Sequence, residues 1–404
     1  MKSEIVVVGG GLAGYATAVG FADEGFDTVL LAPAPRSEDR RSTALIGTSV
    51  ALLETLGVFA ALREVAEPLT VMRIIDDTGR LLRAPPLSFD AQEIGLAAFG
   101  FNVLNADLMK ALAERADAMA GHLRIIDQAV DELEAGPDGA MLRLTDGSRL
   151  EASLVVGADG RNSLVRERSG IACRSWGYPQ SAIVLNFAHQ RDHGGISTEF
   201  HRTTGPFTQV PLPGRRSSLV WVETPEAADL IVDLKPERLE AMIEERMHSI
   251  LGAVTLDGPV QSFPLTGANA ARLTATRIAL VGEAAHVFPP IGAQGLNLGL
   301  RDGAAIIAAA TSGRDDPGSP AVLSRYETAR RGDVMSRSLG VDLLNRSLLA
   351  GFLPTQAART VGLSALAAIP WLRRFAMREG VAPGAGFKGF SRSVREGIGG
   401  EHAG

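Results

Sequence analysis

Three glycines near the amino terminus have the spacing of a nucleotide-binding turn. Gly9, Gly11 and Gly14 directly follow a β-branched run at residues 5–8, and apolar residues at helical spacing begin at Leu12. In such a turn the first glycine permits a tight bend, the second lets the backbone approach a pyrophosphate, and the third lets the helix pack on the strand. The helix N-terminus then directs unpaired N–H groups at the phosphates. The spacing predicts dinucleotide binding, and an ordinary strand-to-helix turn is the alternative.

The second predicted strand, residues 28–31, is followed by an unexpected residue. An acidic side chain usually stands there and hydrogen-bonds the adenosine ribose. This chain has Ala32 instead, and no acid follows until Glu38. We therefore expect the ribose to be held in another way, or more weakly.

A second stretch places an acid where a ligand would bind. The apolar residues 154–156 predict a buried strand, and Gly157 and Gly160 bracket Asp159 at its carboxyl end. Ligands of open α/β sheets bind at those ends. The alternative is an Asp-Gly turn that caps a helix beginning near Ser163.

A third stretch repeats this arrangement. Residues 278–281 predict a strand, which Gly282 and Glu283 follow. A loop with Pro289 and Pro290 then leads to a helix predicted from about Leu296. The stretch predicts either a helix N-terminus that faces an electron-rich group or simply a proline-stiffened loop.

Length and composition restrict the class of protein. With 404 residues the chain is long enough for two lobes, or for one nucleotide-binding fold with a large insertion. Its 46 acidic and 40 basic residues give a net charge of −6, which argues against nucleic-acid binding. No cleavable leader, membrane span or metal-ligand spacing is evident. Because the single Cys173 cannot form an internal disulfide, we expect a cytoplasmic protein.

The elements between these stretches divide into two groups. Strand-like residues 181–223 separate the second stretch from the third, and a hairpin is predicted over residues 72–89. Two further hairpin turns are predicted at residues 136–139 and 146–147. The β-rich part is a candidate substrate lobe inserted into the nucleotide-binding fold.

The three stretches, in this order and spacing, resemble the flavoprotein aromatic hydroxylases of the p-hydroxybenzoate hydroxylase type. That superfamily carries GxGxxG, GADGxxSxVR and GDAAH…P…GQGLNLGxxDA motifs, and this chain has GGGLAG, GADGRNSLVR and GEAAHVFPPIGAQGLNLGLRDG. Within the superfamily, DRRSTAL at 39–45 and GPFTQVPLPGRRSSLVW at 205–221 are similar to motifs of the ubiquinone-biosynthesis hydroxylases. The resemblance covers nearly the whole chain and ends near Gly380.

The resemblance implies an activity. In this family FAD, reduced by NAD(P)H, activates O₂ for hydroxylation of an activated aromatic ring. Since the cofactor carries the hard step, neither a catalytic metal nor a protein nucleophile is required. The branch implies a polyprenylated phenol or quinol as substrate, in ubiquinone biosynthesis. A small-phenol hydroxylase is the near alternative, and the catalytic residues stay unassigned.

The resemblance also implies contacts with the phosphates of FAD. Gly9, Gly11 and Gly14 would hold the pyrophosphate. Arg41 would lie near the flavin and the pyrophosphate. Asp159 would lie beside the pyrophosphate and the path of the nicotinamide.

The third motif would contact the middle and the flavin end of the cofactor. Gly282 and Glu283 would meet the ribityl chain and a phosphate. Gly295, Leu296 and Asn297 would present helix-end N–H groups to the pyrimidine oxygen of the flavin. Positive potential there stabilises the anionic reduced flavin.

Three residues depart from the family pattern: Ala32 replaces the ribose-binding Glu, Glu283 replaces Asp, and Ala293 replaces Gly. Weaker FAD retention is the expected consequence. The departures keep a second class of function open, a flavin-poor structural paralogue in a quinone-biosynthesis complex. His286 has two interpretations, a structural hydrogen-bonding group or an acid-base residue, of which we favour the first.

The fold class implied is α/β: a Rossmann-like FAD-binding domain of the glutathione reductase type, an inserted β-rich substrate domain and C-terminal helices. We assign residues 1–71, 99–175 and 270–335 to the FAD-binding domain, and 72–98 and 176–269 to the substrate domain. Residues 336–380 are expected to form the C-terminal helices, and 381–404 a flexible tail.

The C-terminal helices raise the question of a membrane. Between residues 343 and 375, leucines and Trp371 are interleaved with four arginines. Basic amphipathic helices with aromatic residues can lie in a bilayer interface. A polyprenylated substrate would also dissolve in the membrane. The sequence is consistent with peripheral contact with the inner membrane or with a biosynthetic complex, and with the alternative that we favour, helices packed on the FAD-binding lobe.

Overall fold

The computed structural model describes residues 1–33, 39–80, 83–289, 294–349 and 353–382. In chain order its strands are β1 (Lys2–Val8), β2 (Thr28–Leu31), β3 (Ser42–Ile46), β4 (Glu67–Pro68), β5 (Val71–Asp76), β6 (Leu87–Asp90), β7 (Gly100–Leu104), β8 (Leu123–Ile126), β9 (Val130–Ala135), β10 (Ala140–Leu144), β11 (Arg149–Gly157), β12 (Cys173–His189), β13 (Ile196–His201), β14 (Pro206–Leu212), β15 (Arg216–Glu223), β16 (Val254–Leu256), β17 (Gln261–Ala270), β18 (Thr274–Ala275), β19 (Ile278–Leu280) and β20 (His286–Val287). Its α-helices are α1 (Leu12–Asp23), α2 (Thr48–Thr55), α3 (Asn105–Asp117), α4 (Leu164–Arg168), α5 (Pro225–Val232), α6 (Pro236–Arg246), α7 (Gln294–Thr311), α8 (Pro320–Leu349), α9 (Leu353–Ala368) and α10 (Pro370–Val381). Short 3-10 helices span Phe59–Leu62, Ala91–Ile94 and Gly282–Ala284.

The first sheet is built around parallel strands. Its order is β18-β19-β11-β1-β2-β8, with β10 and β9 attached at β11. β1 pairs in parallel with β11 on one side and β2 on the other. Residues 5–8 of β1 are therefore buried on both faces, which explains the unbroken β-branched run. The hairpins predicted at residues 136–139 and 146–147 are confirmed, since β9 pairs antiparallel with β10 and β10 with β11.

Helices α1 and α7 pack closely against each other beside this sheet. A Cβ on Gly20 of α1 would lie 2.4 Å from the Ile307 side chain of α7, so the glycine is what permits the approach. Helix α8 packs against the first sheet through the buried Tyr326. Its hydroxyl donates to the carbonyl of Leu280, at the end of β19, at 2.6 Å.

The second sheet is the β-rich part of the chain. Its order is β20-β17-β12-β15-β14-β13-β5-β6, and β16 also pairs with β12. The hairpin predicted over residues 72–89 is present as the antiparallel pair β5 and β6. Helices α5 and α6 cover one face, where alternate strand residues such as Phe187, Phe207 and Trp221 are fully buried.

A small sheet, β3-β7-β4, joins the two larger ones. The hydroxyls of Ser42 on β3 and Ser218 on β15 share a hydrogen bond of 2.5 Å. The Asn102 side chain on β7 donates to the carbonyl of Pro211 on β14 at 2.7 Å. These buried polar contacts fix β3, and with it the chain that follows Arg41, against the second sheet.

The C-terminal helices pack on the short segment that follows β6. Met377 and Val381 of α10 are buried with Ile94 and Phe99. The Arg373 guanidinium donates to the Glu93 carboxylate at 2.7 Å. This segment lies largely in the range that we assigned to the substrate domain. Among the described residues, no helix combines the length and hydropathy needed to cross a bilayer.

Candidate active site

The three glycine-containing stretches meet at one edge of the first sheet. Their strands β1, β11 and β19 are parallel neighbours, so their carboxyl ends lie side by side. Two backbone hydrogen bonds join the stretches just beyond the strands. Ala158 N–H donates to the Val8 carbonyl at 2.8 Å, and Val281 N–H donates to the Gly157 carbonyl at 2.9 Å. This edge is where ligands of open α/β sheets bind.

Two glycines of the first motif are required by the packing of this edge. A Cβ on Gly9, whose φ is +124°, would lie 2.3 Å from the carbonyl oxygen of Ala158. A Cβ on Gly14 would lie 1.9 Å from the carbonyl oxygen of Gly9. Side chains at these positions are excluded by backbone atoms, which cannot move aside.

Gly11 differs from its two neighbours. A Cβ there would have no described atom within 4 Å. It is the N-cap of α1, no side chain caps the helix, and no acidic residue lies in its first turn. The N-terminus of α1 therefore presents N–H groups and positive potential to open space, which suits a phosphate.

The turn after β19 is enclosed by two helices. Gly282 has φ +60°, and a Cβ built on it would lie 3.4 Å from Cβ of Ala13 in α1. A Cβ on Gly299 of α7 would lie 3.1 Å from Cα of Gly282 and 3.3 Å from the same Ala13 atom. The first and third motifs therefore approach each other closely, with two glycines and one alanine at the junction.

Gly295 and Leu296, near the start of α7, differ in exposure. Gly295 is exposed, and a Cβ there would have no described atom within 4 Å. Leu296 is half-buried against the core of the first sheet. Pro290 and Ala293, on which the sequence analysis commented, lie outside the described residues.

Asp159 caps a helix and also has one carboxylate oxygen available at the strand ends, so both interpretations of its position apply. Its Oδ2 accepts the N–H of Val165 at 3.0 Å, and Ser163 Oγ accepts the N–H of Arg166 at 2.9 Å, so both cap α4. The second oxygen, Oδ1, is buried and has no hydrogen-bond partner among the described residues. A buried carboxylate oxygen without a donor is costly, and a ligand hydroxyl at the strand ends would satisfy it.

Glu283 reaches the second motif. Its carboxylate lies 3.5 Å from the Arg161 guanidinium, and both side chains are about half exposed, so the ion pair is weak. Arg166 makes a firmer link, because it donates to the carbonyls of Ala284 at 2.8 Å and Arg161 at 2.9 Å. Arg166 is the last residue of the second motif, and no role was predicted for it.

Arg41 is held in one orientation. Its Nε and Nη2 donate to the two oxygens of Asp39 at 2.8 and 2.7 Å, and Asn105 donates to the same carboxylate at 2.9 Å. The hydrogen bonds from Arg41 and Asn105 outweigh burial and lower the pKa of Asp39. The guanidinium lies 5.6 Å from the Phe263 ring centroid on β17. Its hydrogen bond with Asp39, and to a smaller extent the charge of Glu283, raises the pKa of Arg41. Arg41 therefore stands between the third motif and the second sheet.

Asn297 has a structural task that the sequence did not reveal. Its Oδ1 accepts the N–H of Ile46 at 2.9 Å, and its Nδ2 donates to the carbonyl of Ala44 at 2.8 Å. The side chain thus continues the hydrogen bonding of β3 on the edge opposite β7. It fixes the first turn of α7 in place against β3.

Ala32 lies on the other side of β1 from Asp159. It is 8% exposed, and its N–H donates to the carbonyl of Ile126 at 3.0 Å. A Cβ on Gly10 would lie 2.9 Å from Cβ of Ala32. A longer side chain at position 32 would therefore begin beside the glycine-containing turn.

We expect Ala32→Glu to bind FAD more tightly, by about five- to thirtyfold, because a charged acceptor for the ribose hydroxyls is worth about 1–2 kcal/mol. Fluorescence titration of the apoprotein with FAD measures the change. Ala32→Gln, with the same length and no charge, is the control and should gain less. Unchanged or weaker binding by Ala32→Glu would mean that another group already holds the ribose.

These features define a class. Parallel strand ends with a glycine-lined turn, an uncapped helix N-terminus and an unpaired acidic oxygen fit the pyrophosphate and ribose of a dinucleotide cofactor, as in FAD-dependent oxidoreductases. A family model described as FAD binding domain matches residues 2–337. The chain is 35% identical to ubiquinone hydroxylase UbiL of Rhodospirillum rubrum, over 93% of this chain and 89% of that protein.

Two further comparisons agree. The 3-demethoxyubiquinol 3-hydroxylase of Escherichia coli is 32% identical, over 93% of this chain and 97% of that one. The crystal structure of p-nitrophenol 4-monooxygenase PnpA from Pseudomonas putida has a TM-score of 0.76 at 19% identity, covering 93% of this chain and 97% of that chain, which shows a shared fold. The chain belongs to the ubiquinone-biosynthesis hydroxylase family and is an FAD-dependent monooxygenase.

Proposed function

We propose that this protein hydroxylates the ring of a polyprenylated phenol or benzoquinol in ubiquinone biosynthesis, with NAD(P)H and O₂ as co-substrates. The observation that carries the proposal is the meeting of three motifs at the ends of β1, β11 and β19. The substrate class comes from the relatives named above, whose likeness extends over 93% of the chain.

The proposed roles combine the family resemblance with the geometry of the site. Gly9, Gly11 and the N-terminus of α1 bind the pyrophosphate, and the free oxygen of Asp159 accepts a hydroxyl or an N–H group. Gly282 and Glu283 contact the ribityl chain and a phosphate. Bound FAD would supply the redox chemistry of the hydroxylation, with NAD(P)H as reductant and O₂ as oxidant.

The first turn of α7 would lie against the flavin ring and stabilise negative charge on it. N–H groups of Gly295, Leu296 and Asn297 provide positive potential without a titrating base. Arg41, fixed by Asp39, contributes a permanent charge near Glu283. The protein thereby binds and orients the flavin and polarises its ring. The reaction needs no nucleophile from the protein.

The domain division given above is also proposed. Every strand of the first sheet falls within residues 1–71, 99–175 and 270–335. The second sheet is drawn almost wholly from residues 71–90 and 173–270, but β20 comes from the FAD-binding range. The pairing of β20 with β17 couples the loop after Gly282 to the substrate domain.

Turnover with labelled oxygen tests the function. Purified protein should be yellow, and a polyprenylated phenol with NAD(P)H under ¹⁸O₂ should yield a product that contains one ¹⁸O atom. Faster turnover of a tail-free phenol would favour the small-phenol alternative. Colourless protein that takes up no added FAD would favour the structural paralogue. Deletion of the gene and identification of the accumulated precursor would establish the ring position.

A surface for a membrane is proposed on the C-terminal helices. Residues 368–371, Ala-Ile-Pro-Trp at the junction of α9 and α10, are consecutively exposed, and Trp371 is 69% exposed. Residues 353–382 carry four arginines and one acid in a chain of net charge −6. An exposed apolar corner with adjacent positive charge suits an anionic lipid interface, where a polyprenylated substrate resides.

We expect the wild-type protein to sediment with anionic vesicles, and the double variant Ile369→Ser/Trp371→Ser to bind them at least about tenfold more weakly, because two apolar side chains no longer enter the interface. Co-sedimentation with phosphatidylglycerol-containing vesicles measures this. Leu230→Ser on α5, where the leucine is 72% exposed, is the matched control. Equal binding by all three proteins would rule out this surface.

A further inference from the structure

A fully buried carboxylate lies directly beneath the turn of the third motif. Asp302, in the third turn of α7, is 0% exposed. Its Oδ2 accepts the N–H of Gly282 at 3.0 Å and faces His286 Nε2 at 2.6 Å. Its Oδ1 accepts Nε of Arg330 at 2.7 Å. One side chain therefore holds both ends of the turn, residues 282 and 286.

The turn is held from the other side by Arg166. The guanidinium of Arg166 donates a hydrogen bond to the Ala284 carbonyl. Within the turn, Ala285 N–H donates to the Gly282 carbonyl at 2.9 Å. Because Gly282 lies close to Ala13 of α1, a shift of the turn would disturb the helix N-terminus that is proposed to face the phosphates. Among the hydrogen-bond partners of the Asp302 side chain given above, only Gly282 belongs to the candidate site, so its effect on the cofactor would pass through the turn.

The ionised form of Asp302 matches its partners. Burial alone raises the pKa of this carboxyl, but His286 and Arg330 outweigh burial and keep the pKa below its ordinary value. A carboxylate only accepts, so its hydrogen bond with His286 requires a proton on Nε2. The imidazole is fully buried and Nδ1 has no partner among the described residues, which agrees with a structural role for His286.

The charge of Asp302 is balanced from α8. Arg330 donates to Asp302 and, through Nη1, to Asp333 at 2.6 Å. Asp333 also binds Arg301 and Arg337, both at 2.9 Å. Burial, followed by the charge of Arg337, lowers the pKa of Arg301 to about 10. This network of charged side chains extends from Asp302, beside the turn, to Asp333 on α8. Asp333 therefore lies at the end that is remote from the turn.

We propose that Asp302 is a positioning residue of the flavin site: its ionised carboxylate fixes the turn at residues 282–286 and thereby determines how tightly FAD is held. The proposal rests on the proposed function in so far as FAD occupies the strand-end site. In Asp302→Asn the amide keeps the size of the side chain but must turn one donor toward Arg330 or toward the turn, where donors already point. The turn then loses the hydrogen bonds of the Asp302 carboxylate, even if the protein still folds.

The test compares Asp302→Asn with Asp333→Asn, the same substitution at the two ends of one network. Both variants should unfold at lower temperature as apoproteins. Asp302→Asn should weaken FAD binding in a fluorescence titration by at least about tenfold, since a charged hydrogen bond to the turn is lost. Asp333→Asn should bind FAD within about threefold of the wild type, because Asp333 contacts no atom of the turn.

A second pair of variants serves if Asp302→Asn does not fold. In His286→Gln the Nε2 group can still donate to Asp302, whereas in His286→Leu it cannot. We expect Gln to retain FAD affinity within about threefold and Leu to lose about tenfold. Equal affinity of the two His286 variants, or equal loss in Asp302→Asn and Asp333→Asn, would overturn the proposal. Wild-type protein that binds no FAD would overturn it together with the proposed function.

Discussion

Gly11→Val is expected to yield a folded protein that has lost FAD. The backbone of Gly11 lies at φ −81° and ψ 173°, an extended conformation that valine readily adopts. A Cβ there meets no described atom within 4 Å, so the substitution disturbs no protein contact. The valine methyl groups instead occupy the space that the proposed pyrophosphate needs. Loss of two charged hydrogen bonds, each worth about 1.5–3 kcal/mol, weakens FAD by a factor of about 100 or more.

The measurement is the ratio of flavin to protein after purification, with circular dichroism to verify the fold. Gly121→Val is the matched control, since a Cβ on Gly121 also meets no described atom within 4 Å and the residue lies in the turn before β8. The control should retain full flavin. Wild-type flavin content in Gly11→Val would show that the first motif does not hold the cofactor. Gly14→Val is unsuitable, because its Cβ would collide with a backbone carbonyl.

Arg330→Met is expected to cause the largest loss of stability, about 3–5 kcal/mol of unfolding free energy. The guanidinium is 7% exposed and balances the fully buried Asp302. Asp333 keeps Arg301 and Arg337 as partners, so the cost arises chiefly at Asp302. Urea unfolding of the apoprotein measures it. In Arg143→Met the lost partners are about half exposed on the hairpin, and the loss should stay below about 1 kcal/mol.

The double variant Arg330→Met/Asp302→Asn separates charge from packing. If the single variant is unstable because a buried charge has lost its partner, removal of that charge should restore part of the stability. The double variant should then be more stable than Arg330→Met alone. Simple addition of the two losses would show that packing, not the uncompensated charge, dominates.

Local pattern alone was enough for much of the fold. The β-branched run of β1, the glycine-spaced turn into α1 and the hairpin turns at 136–139 and 146–147 were all predicted, because strand and helix periodicity and turn residues act over a few neighbours. An Asp-Gly turn that caps a helix beginning near Ser163 was one of two alternatives, and Asp159 does cap α4. The family resemblance, spread over three motifs, supplied the class of cofactor, which the comparisons support.

What each motif does within the site was decided by tertiary structure. The sequence marked Asn297 for its backbone N–H groups, yet its side chain bonds β3, 251 residues away in sequence. The second motif ends at Arg166, but nothing local indicated that its partner would be Ala284, 118 residues distant. Nor did anything local indicate that Arg330 would balance Asp302 from another helix. Such contacts depend on which strands become neighbours and on which buried charges must then find partners. No local periodicity encodes that choice, because the cost of leaving a buried charge unpaired arises only once the chain is folded.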